Sequence, residues 1–252
     1  MVSLSKAFSI EDFKILETLM FNHETVVVTG AAGGLGRAVT HYFLRGGAKV
    51  VAIDYSETLL EEAFPEADSR CQPIACDLTD RSDCLSLTSR LLDNDGQVSV
   101  LCNIAGGFQM GEAVYDIQDA AWDFLFNLNT KSVIYMTQKL VPAMVARGRG
   151  KVINVGAAAA IQGQAYMGAY LASKSATIRL TESLSEEVKA SGVNVNCVMP
   201  GVIDTPRNRS DMPDADFSTW VPPEKLAEVI GFLASDAASA IHGASVPVRG
   251  LS

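Results

Sequence analysis

Seven short apolar runs divide the sequence, and they constrain the fold more than any other feature. Each run is apolar nearly throughout rather than at every second position, which is typical of parallel strands covered on both faces. The runs are 25–30, 49–54, 71–77, 98–106, 150–156, 193–201 and 243–250. Segments long enough for helices separate them, at 34–47, 80–94, 119–147, 168–190 and 223–235. Repeated strand–helix–strand units predict an α/β fold, a doubly wound parallel sheet with helices on both faces.

The chain has no Pro/Gly/Ser-rich linker and no internal repeat, so we expect one domain over residues 24–252. Residues 1–23 form an extension in which apolar side chains recur at helical spacing, and Ser9 is placed to cap the helix. The pattern predicts an extra amphipathic helix docked on the body, with a partner-binding or subunit-contact helix as the alternative. The apolar positions are Ile10, Phe13, Leu16, Leu19 and Met20.

The charge balance excludes several classes of partner. Net charge is -9 and the sequence pI is about 4.8, so the basic footprint of a nucleic-acid-binding protein is missing. The same balance argues against binding to an anionic membrane surface. No uncharged apolar stretch reaches the ~18 residues that a membrane-spanning helix needs. These properties favour a cytoplasmic protein that acts on a small molecule.

The cysteine pattern favours a reducing compartment. There are five cysteines, an odd number, and no two have C-x-x-C spacing. We expect reduced and mostly buried thiols. The three histidines are scattered, so no metal site is expected.

A glycine-rich segment, TGAAGGLGRA, follows the first predicted strand and opens the first predicted helix. Glycines allow a tight turn and a close approach of the backbone to a pyrophosphate, which the helix N-terminus then stabilises. An ordinary turn is the alternative, but the position between strand and helix is the one the phosphate-binding motif requires. The predicted cofactor contacts here are Gly30, Gly33, Gly34, Leu35 and Gly36.

Acidic residues end the next two strands. Asp54 lies 24 residues after Gly30, where a carboxylate accepts hydrogen bonds from the adenosine ribose and repels a 2′-phosphate. This favours NAD(H) over NADP(H), although Arg37 could pair with a phosphate. Asp77 and Leu78 are expected to meet the adenine, and a helix N-cap is the alternative role for the Asp77 side chain.

Tyr170 and Lys174 lie one helical turn apart, which places a phenol and an ammonium on one face. With TGAAGGLG, CNIAGG, Asn129 and PGVIDT, this pair resembles the short-chain dehydrogenase/reductase family over about residues 24–250. The resemblance implies a single-domain Rossmann-type fold with a seven-stranded parallel sheet. It also implies nicotinamide-dependent oxidoreduction by a homotetramer or homodimer.

The resemblance assigns roles to individual residues. Tyr170 corresponds to the catalytic acid/base, and Lys174 to the residue that lowers the phenol pKa and holds the nicotinamide ribose. Asn129 corresponds to the asparagine that holds a proton-relay water, and its alternative role is that of a hydrogen-bonded asparagine at a helix kink. The other implied cofactor contacts are Asn103, Ala105, Gly106, Pro200, Gly201, Ile203 and Thr205.

The family's catalytic serine is missing. Thirteen residues before Tyr170 the chain has Ala157, inside a run of alanines. Losing one hydrogen-bond donor to a developing oxyanion typically costs about 2.7–4 kcal/mol. Either another polar group replaces the serine, or the substrate does not need it, or the protein is a weak NAD(H)-binding sensor or scaffold. The polar candidates are Gln109, Gln162, Gln164 and Tyr166.

A second, local resemblance favours a substrate that does not need the serine. Residues 201–220 resemble the corresponding segment of dihydropteridine reductases, a subgroup that also has alanine at the serine position and uses NADH. Hydride transfer to a conjugated imine or quinonoid ring develops charge elsewhere. We therefore predict a small cyclic or conjugated carbonyl or imine substrate. The residues expected to contact it are Ala157, Phe108, Gln109, Gln164, Tyr166 and Trp220, with Met110 beside Phe108. Trp220 or Phe217 would cover the substrate as a lid, and the alternative is that both aromatic rings lie in the core.

Overall fold

The predicted parallel sheet is confirmed by the structure, a computed structural model that describes residues 20–65, 68–95 and 97–251. Within these residues seven strands form one parallel sheet in the order β3-β2-β1-β4-β5-β6-β7. The strands are β1 Thr25–Thr29, β2 Lys49–Asp54, β3 Cys71–Ala75, β4 Val98–Asn103, β5 Gly150–Val155, β6 Val193–Pro200 and β7 Ser245–Val248.

Helices connect the strands and cover the sheet on both faces. They are α1 Gly34–Arg45, α2 Glu57–Ala63, α3 Arg81–Asp95, α4 Asp119–Phe126, α5 Ser132–Arg147, α6 Gly168–Val188, α7 Pro206–Asp211 and α8 Pro223–Ala234. The sequence predicted one helix over 119–147, but a π-helical turn at Asn127–Lys131 separates α4 from α5. The short helices α2 and α7 were not predicted from the sequence.

Strand β1 shows how the two faces are built. Val26 and Val28 belong to the apolar cluster that includes residues of α1 and α8, whereas Val27 belongs to the cluster that includes residues of α3 and α5. Successive residues of a strand point to opposite faces of the sheet. All three side chains are fully buried, so both faces are covered at this strand. The continuous apolar runs of the sequence are therefore explained by a sheet covered on both sides.

The direction of winding reverses at the middle of the sheet. Strand β1 pairs with β2 on one side and with β4 on the other. In such sheets a crevice opens beyond the carboxyl ends of the two central strands. The residues that follow β1 and β4 therefore meet at one place.

The predicted helix at residues 1–23 falls almost entirely outside the described residues. Phe21, near the start of the described chain, is buried and packs edge-on against Phe43 with ring centroids 4.7 Å apart. Its backbone N–H donates to the carbonyl of Gly46 at 2.8 Å. The five cysteines are free and buried. In the described part of the chain, no helix combines the length and the apolar character needed to span a membrane.

Candidate active site

The glycine-rich turn is held by close backbone packing. Gly30 has φ +64°, and a Cβ atom there would lie 2.8 Å from the Cα of Ala105. A Cβ atom on Gly36 would lie 2.0 Å from the carbonyl oxygen of Gly30. Only glycine fits at these positions, so the N-terminus of α1 sits directly against the end of β1. This is the tight cradle that a dinucleotide phosphate requires.

The segment after β6 reaches the same cradle from the other side of the crevice. A Cβ atom on Gly34 would lie 2.8 Å from the methyl carbon of Thr205. The Thr205 hydroxyl caps α7 by accepting from the N–H of Asn208 at 3.2 Å. Thr205 thus lies beside the first turn of α1, where a pyrophosphate would be held.

Asp54 is buried and fixed at the end of β2. One carboxylate oxygen accepts from the N–H of Ala32 at 3.0 Å, and the other accepts from the N–H of Tyr55 at 2.8 Å. The first bond ties the carboxylate to the glycine-rich turn. Arg37 is exposed on α1. The negative charge of Asp54 therefore lies next to the cradle, at the position expected for a ribose.

Asp77 shapes the turn after β3. Its carboxylate accepts from the N–H and the hydroxyl of Thr79 at 2.8 and 2.7 Å. The alternative N-cap role belongs instead to Asp80, whose carboxylate accepts from the N–H groups of Ser82 and Asp83 at the start of α3. Leu78, between these two acids, is buried.

Tyr170 and Lys174 occupy the first two turns of α6. Lys174 is buried, and its ammonium donates to the carbonyl of Val155 at 2.9 Å. Burial lowers the pKa of Lys174 to about 8 and raises the pKa of Tyr170 to about 12. Loss of hydration is the cause of the raised pKa of Tyr170, and the lowering by Lys174 expected from the sequence is not seen in this arrangement. Tyr170 carries its proton at neutral pH.

Asn129 lies in the π-helical turn, and its side chain is fully engaged. The amide oxygen accepts from the N–H of Gly107 at 2.8 Å, while the amide nitrogen donates to the Gly107 carbonyl and the Ser173 hydroxyl at 3.1 and 2.9 Å. The Asn129 carbonyl accepts from the Thr177 hydroxyl at 2.8 Å. The side chain thus matches the alternative role of a hydrogen-bonded asparagine, and its two amide N–H groups are both used within the protein.

Gly106 separates Asn129 from Lys174. A Cβ atom on Gly106 would lie 2.9 Å from the Asn129 amide oxygen and 3.0 Å from the Lys174 ammonium nitrogen. The backbone of the loop after β4 therefore passes directly over both functional groups. This explains why the CNIAGG segment has glycine at this point.

A polar ladder inside the fold supports the strand ends. Asn103 donates to the Asn154 side chain at 2.8 Å, and Asn154 donates to the Thr181 hydroxyl at 2.9 Å. The Thr29 hydroxyl accepts from the N–H groups of Ile104 and Ala105. All these polar groups are buried and hydrogen-bonded, which fixes the carboxyl ends of β1, β4 and β5 relative to α6.

A cleft of about 1000 Å³ opens beside Tyr170 and Lys174. Ala157 forms part of its wall and is itself buried. The Phe108 ring lies edge-on to Tyr170, with centroids 4.8 Å apart. Of the residues predicted from the sequence, the cleft brings together Leu35, Gly106, Phe108, Gln109, Met110, Ala157, Gln162, Gln164, Tyr170, Lys174, Pro200, Gly201 and Ile203.

Two predicted substrate contacts lie elsewhere. Trp220 is buried and packs against Phe217, with ring centroids 4.7 Å apart, and it is not among the residues that line the cleft. Trp220 therefore lies in the core, as the alternative interpretation of the sequence expected. Tyr166 has φ 63° and lines a separate, adjoining pocket of about 440 Å³. Its backbone carbonyl, rather than its ring, fixes the nearby loop by accepting from the N–H of Gly111.

Several residues of the site were missed at the sequence level. Ser173 and Thr177 contact Asn129 from α6, and their spacing from Tyr170 could have placed them on its helical face. Asn208 and Arg249 line the cleft from distant parts of the chain, where no local pattern distinguishes them. Among the described residues, no group of three or more His, Cys, Asp or Glu side chains is placed to hold a metal ion.

Comparison with known proteins agrees with this geometry. The chain matches the family model of short chain dehydrogenase over residues 24–216. It is 31% identical to the 3-oxoacyl-(acyl-carrier-protein) reductase of Thermotoga maritima over 236 residues, 89% of this chain and 95% of that protein. It is 33% identical to the cis-4-hydroxycyclohexanecarboxylate dehydrogenase of Sinomonas cyclohexanicum over 240 residues, 91% of this chain and 96% of that protein.

A solved structure of a short chain dehydrogenase/reductase family protein has the same fold. It superposes with a TM-score of 0.85 at 29% identity and covers 92% of this chain and 97% of its own. Similarity in sequence and structure to these proteins thus extends over nearly the full chain. It includes the region of the glycine-rich turn and of the Tyr170–Lys174 pair. The protein belongs to the short-chain dehydrogenase/reductase family and is an NAD(P)-dependent oxidoreductase.

Proposed function

We propose that the protein transfers hydride between NAD(H) and a small cyclic or conjugated carbonyl or imine compound. The observation that carries this proposal is the position of Tyr170. Its partly buried phenol lines a cleft of about 1000 Å³ together with Lys174 and the loop that passes beside the glycine-rich turn. The proposed proton donor and Leu35 of the glycine-rich segment therefore line one cleft.

The residues present fit a nicotinamide dinucleotide. The cradle at Gly30 and Gly36 would hold the pyrophosphate, and Asp54 would accept from the adenosine ribose, which favours NAD(H) over NADP(H). Asp77 and Leu78 would border the adenine. When bound, nicotinamide supplies or accepts the hydride. Its ring and ribose would be bordered by Ala105, Gly106, Pro200, Gly201 and Ile203. Thr205 would lie beside the pyrophosphate, and Asn103 would support the strand end from inside the fold.

Tyr170 is the proposed proton donor for reduction. Burial keeps its proton at neutral pH, with a pKa of about 12, so the phenol can donate to an oxygen or nitrogen that gains electrons. Lys174 would bind the nicotinamide ribose, and the Asn129 carbonyl would hold a water that returns a proton toward Lys174. The Asn129 side chain positions this turn through Gly107 and Ser173.

Ala157 favours a substrate that does not depend on a second donor. No hydroxyl group lies at this position, so an ordinary ketone would lose the stabilisation that the family's serine gives to its oxygen. A conjugated imine or quinonoid ring, such as a dihydropterin, places less charge on that atom. Gln109, Gln162 and Gln164 line the cleft and are the polar groups available to substitute for the serine.

The name of one relative also favours a ring. The cis-4-hydroxycyclohexanecarboxylate dehydrogenase of Sinomonas cyclohexanicum acts, by its name, on a hydroxyl group carried by a six-membered ring. A cyclic substrate for this chain is consistent with that relationship. We propose that the protein works in the cytoplasm as a homodimer or homotetramer, since its family resemblance implies such assemblies.

A catalytically weak NAD(H)-binding sensor or scaffold is the second candidate. The absence of a hydroxyl at Ala157 is the observation in its favour. Tyr170 argues against it, because a protein that only binds NAD(H) does not need a protonated phenol in the cleft.

Substitution of Tyr170 tests the proposal. Tyr170→Phe should lower turnover by about 100-fold or more, because a general acid contributes at least that much, while the dissociation constant for NADH changes little. The measurement is NADH absorbance decay with a panel of quinonoid dihydropterin, quinones and cyclic ketones. Tyr115→Phe is the matched control, since Tyr115 is strongly exposed and outside the cleft. Unchanged turnover in Tyr170→Phe would remove the phenol from the mechanism, and no turnover by the wild type would favour the sensor.

A further inference from the structure

Four large apolar side chains are exposed around the cleft, and we call them the apolar rim: Phe108, Met110, Ile161 and Met212. Their exposed fractions are 53%, 58%, 61% and 39%. All four line the same cleft. Apolar surface of this extent gathered in a concave site marks a place where an apolar group binds.

The apolar rim is assembled from three separate parts of the chain. Phe108 and Met110 follow β4, Ile161 ends the 3-10 turn Ala158–Ile161 after β5, and Met212 follows α7. These residues are far apart in sequence and share no helix face or strand. Their common feature is the cleft itself, so their exposure is not the by-product of one local amphipathic pattern.

The apolar rim begins at the reacting group. The Phe108 ring lies edge-on to the Tyr170 ring at 4.8 Å between centroids. A substrate atom that receives a proton from Tyr170 would therefore lie next to Phe108. Any group attached to that end of the substrate would extend across Met110, Ile161 or Met212.

Charged groups contribute little to this part of the cleft. Asp211 lines it, but its carboxylate accepts from the Arg207 guanidinium at 2.9 Å. Arg249 lines it from the end of β7. Lys174 is buried deeper and donates to the Val155 carbonyl. Apolar residues make up most of the cleft lining, although Gln109, Gln162 and Gln164 also line it, and this composition disfavours a strongly charged arm.

We propose that the substrate carries an apolar arm, an alkyl or aryl group of several carbons, which lies against the apolar rim while the reacting ring faces Tyr170. This assignment rests on the proposed function for the position of the reacting atom. The cleft of about 1000 Å³ would also take the nicotinamide, so the arm is assigned to the part of the cleft that the apolar rim lines. The chemical class is thus a ring ketone or imine with a hydrophobic substituent.

The test measures binding without catalysis. Protein saturated with NAD⁺ is titrated calorimetrically with cyclohexanone and its 4-methyl, 4-propyl and 4-pentyl derivatives. A ketone and NAD⁺ are both oxidised, so no hydride transfer can occur in this complex. We expect the dissociation constant to fall about three- to fourfold for each added methylene, the change that accompanies transfer of a CH₂ group from water to an apolar site.

Two variants locate the effect. Ile161→Gln and Met212→Gln should each reduce the gain to below about twofold per methylene and leave cyclohexanone binding unchanged, because the ring lies by Tyr170. Leu59→Gln, at a partly exposed apolar position on α2 outside the cleft, should keep the wild-type dependence. All three positions are at the surface, and thermal melts confirm that the variants are folded.

Three results would overturn the proposal. The wild type could show no dependence on alkyl length, or both cleft variants could retain the wild-type dependence. In the third result, light scattering shows that the cleft variants change the molar mass in solution, while the dependence of binding on alkyl length stays as in the wild type. The apolar rim would then be a contact between copies of the chain. Alkyl dependence without NADH turnover on any substrate would contradict the proposed function alone, and turnover without alkyl dependence would contradict the apolar arm alone.

Discussion

The expected cofactor end and the expected substrate end of the crevice differ in how tightly the backbone is packed. At the cofactor end a single added carbon on Gly36 would lie 2.0 Å from a backbone oxygen, and the Asp54 carboxylate is bonded to two backbone N–H groups. At the substrate end a Cβ atom on Gly163 would meet nothing within 4 Å, and large apolar side chains are exposed. From this difference we expect backbone packing to fix cofactor recognition and side chains in open loops to determine the substrate.

The largest expected effect comes from a methyl group at the cofactor end. Gly36→Ala should lower the free energy of unfolding by about 1–3 kcal/mol, because the new carbon must push the start of α1 away from Gly30. The displaced N–H groups should also raise the dissociation constant for NADH by about tenfold or more, since a hydrogen bond to a charged group contributes about 1.5–3 kcal/mol and about 1.4 kcal/mol is a factor of ten. Chemical denaturation and NADH fluorescence titration measure the two quantities.

Gly163→Ala makes the same chemical change at the substrate end and is the matched control. Space is open around Gly163, so stability and NADH affinity should both stay near the wild-type values. Equal losses in the two variants would contradict the contrast between the two ends. Normal NADH affinity in Gly36→Ala would show that the cradle does not hold the phosphates.

A smaller effect is expected from the charge of Asp54. In Asp54→Asn the amide oxygen can still accept from the N–H of Ala32, but the negative charge that repels a 2′-phosphate is gone. The ratio of kcat/KM for NADH to that for NADPH should fall about tenfold, because two like charges near a protein surface repel by roughly 1–4 kcal/mol and about 1.4 kcal/mol corresponds to a factor of ten. Exposed Arg37 on α1 could then pair with the phosphate.

Asp77→Asn provides the comparison for Asp54. Asp77 shapes the turn where the adenine is expected, and the adenine is common to both cofactors. Any loss should therefore affect NADH and NADPH alike, with their ratio unchanged. A ratio that shifts with Asp77 and not with Asp54 would contradict the assignment of the ribose to Asp54.

The residues of the cofactor end could be predicted to lie together because each belongs to a short local motif at the end of a strand. Gly30 and Gly36 lie in one turn, Asp54 ends an apolar run, and a parallel sheet brings such strand ends together. The substrate end depends on contacts between distant segments, so its details were not predictable. The Trp220 ring, one of the two expected to form a lid, is instead buried against Phe217, since an aromatic ring at the end of a polar segment can pack inward as easily as over a ligand.

The residues that we propose to be catalytic lie between these two cases. The spacing of Tyr170 and Lys174 fixes their relative position on α6, and the structure places both in the cleft. Their pKa values could not be read from spacing, because they depend on burial by the loop after β4 and by β5. The π-helical turn that contains Asn129 was likewise invisible to a periodicity of 3.6 residues.

The smallest effect is expected where the two ends meet, at Ala157. Ala157→Ser restores a hydroxyl in the cleft wall, and on an ordinary ketone such a donor is worth about 100–1000-fold in rate. If the preferred substrate is a conjugated imine or quinonoid ring, its turnover should rise by less than about fivefold, since little charge develops on the atom beside residue 157. Steady-state kcat/KM for the best compound in the panel and for cyclohexanone measures this difference. A hundredfold gain on the best compound would mean that the serine was lost without compensation, and the chemistry assigned to the open end of the crevice would have to be revised.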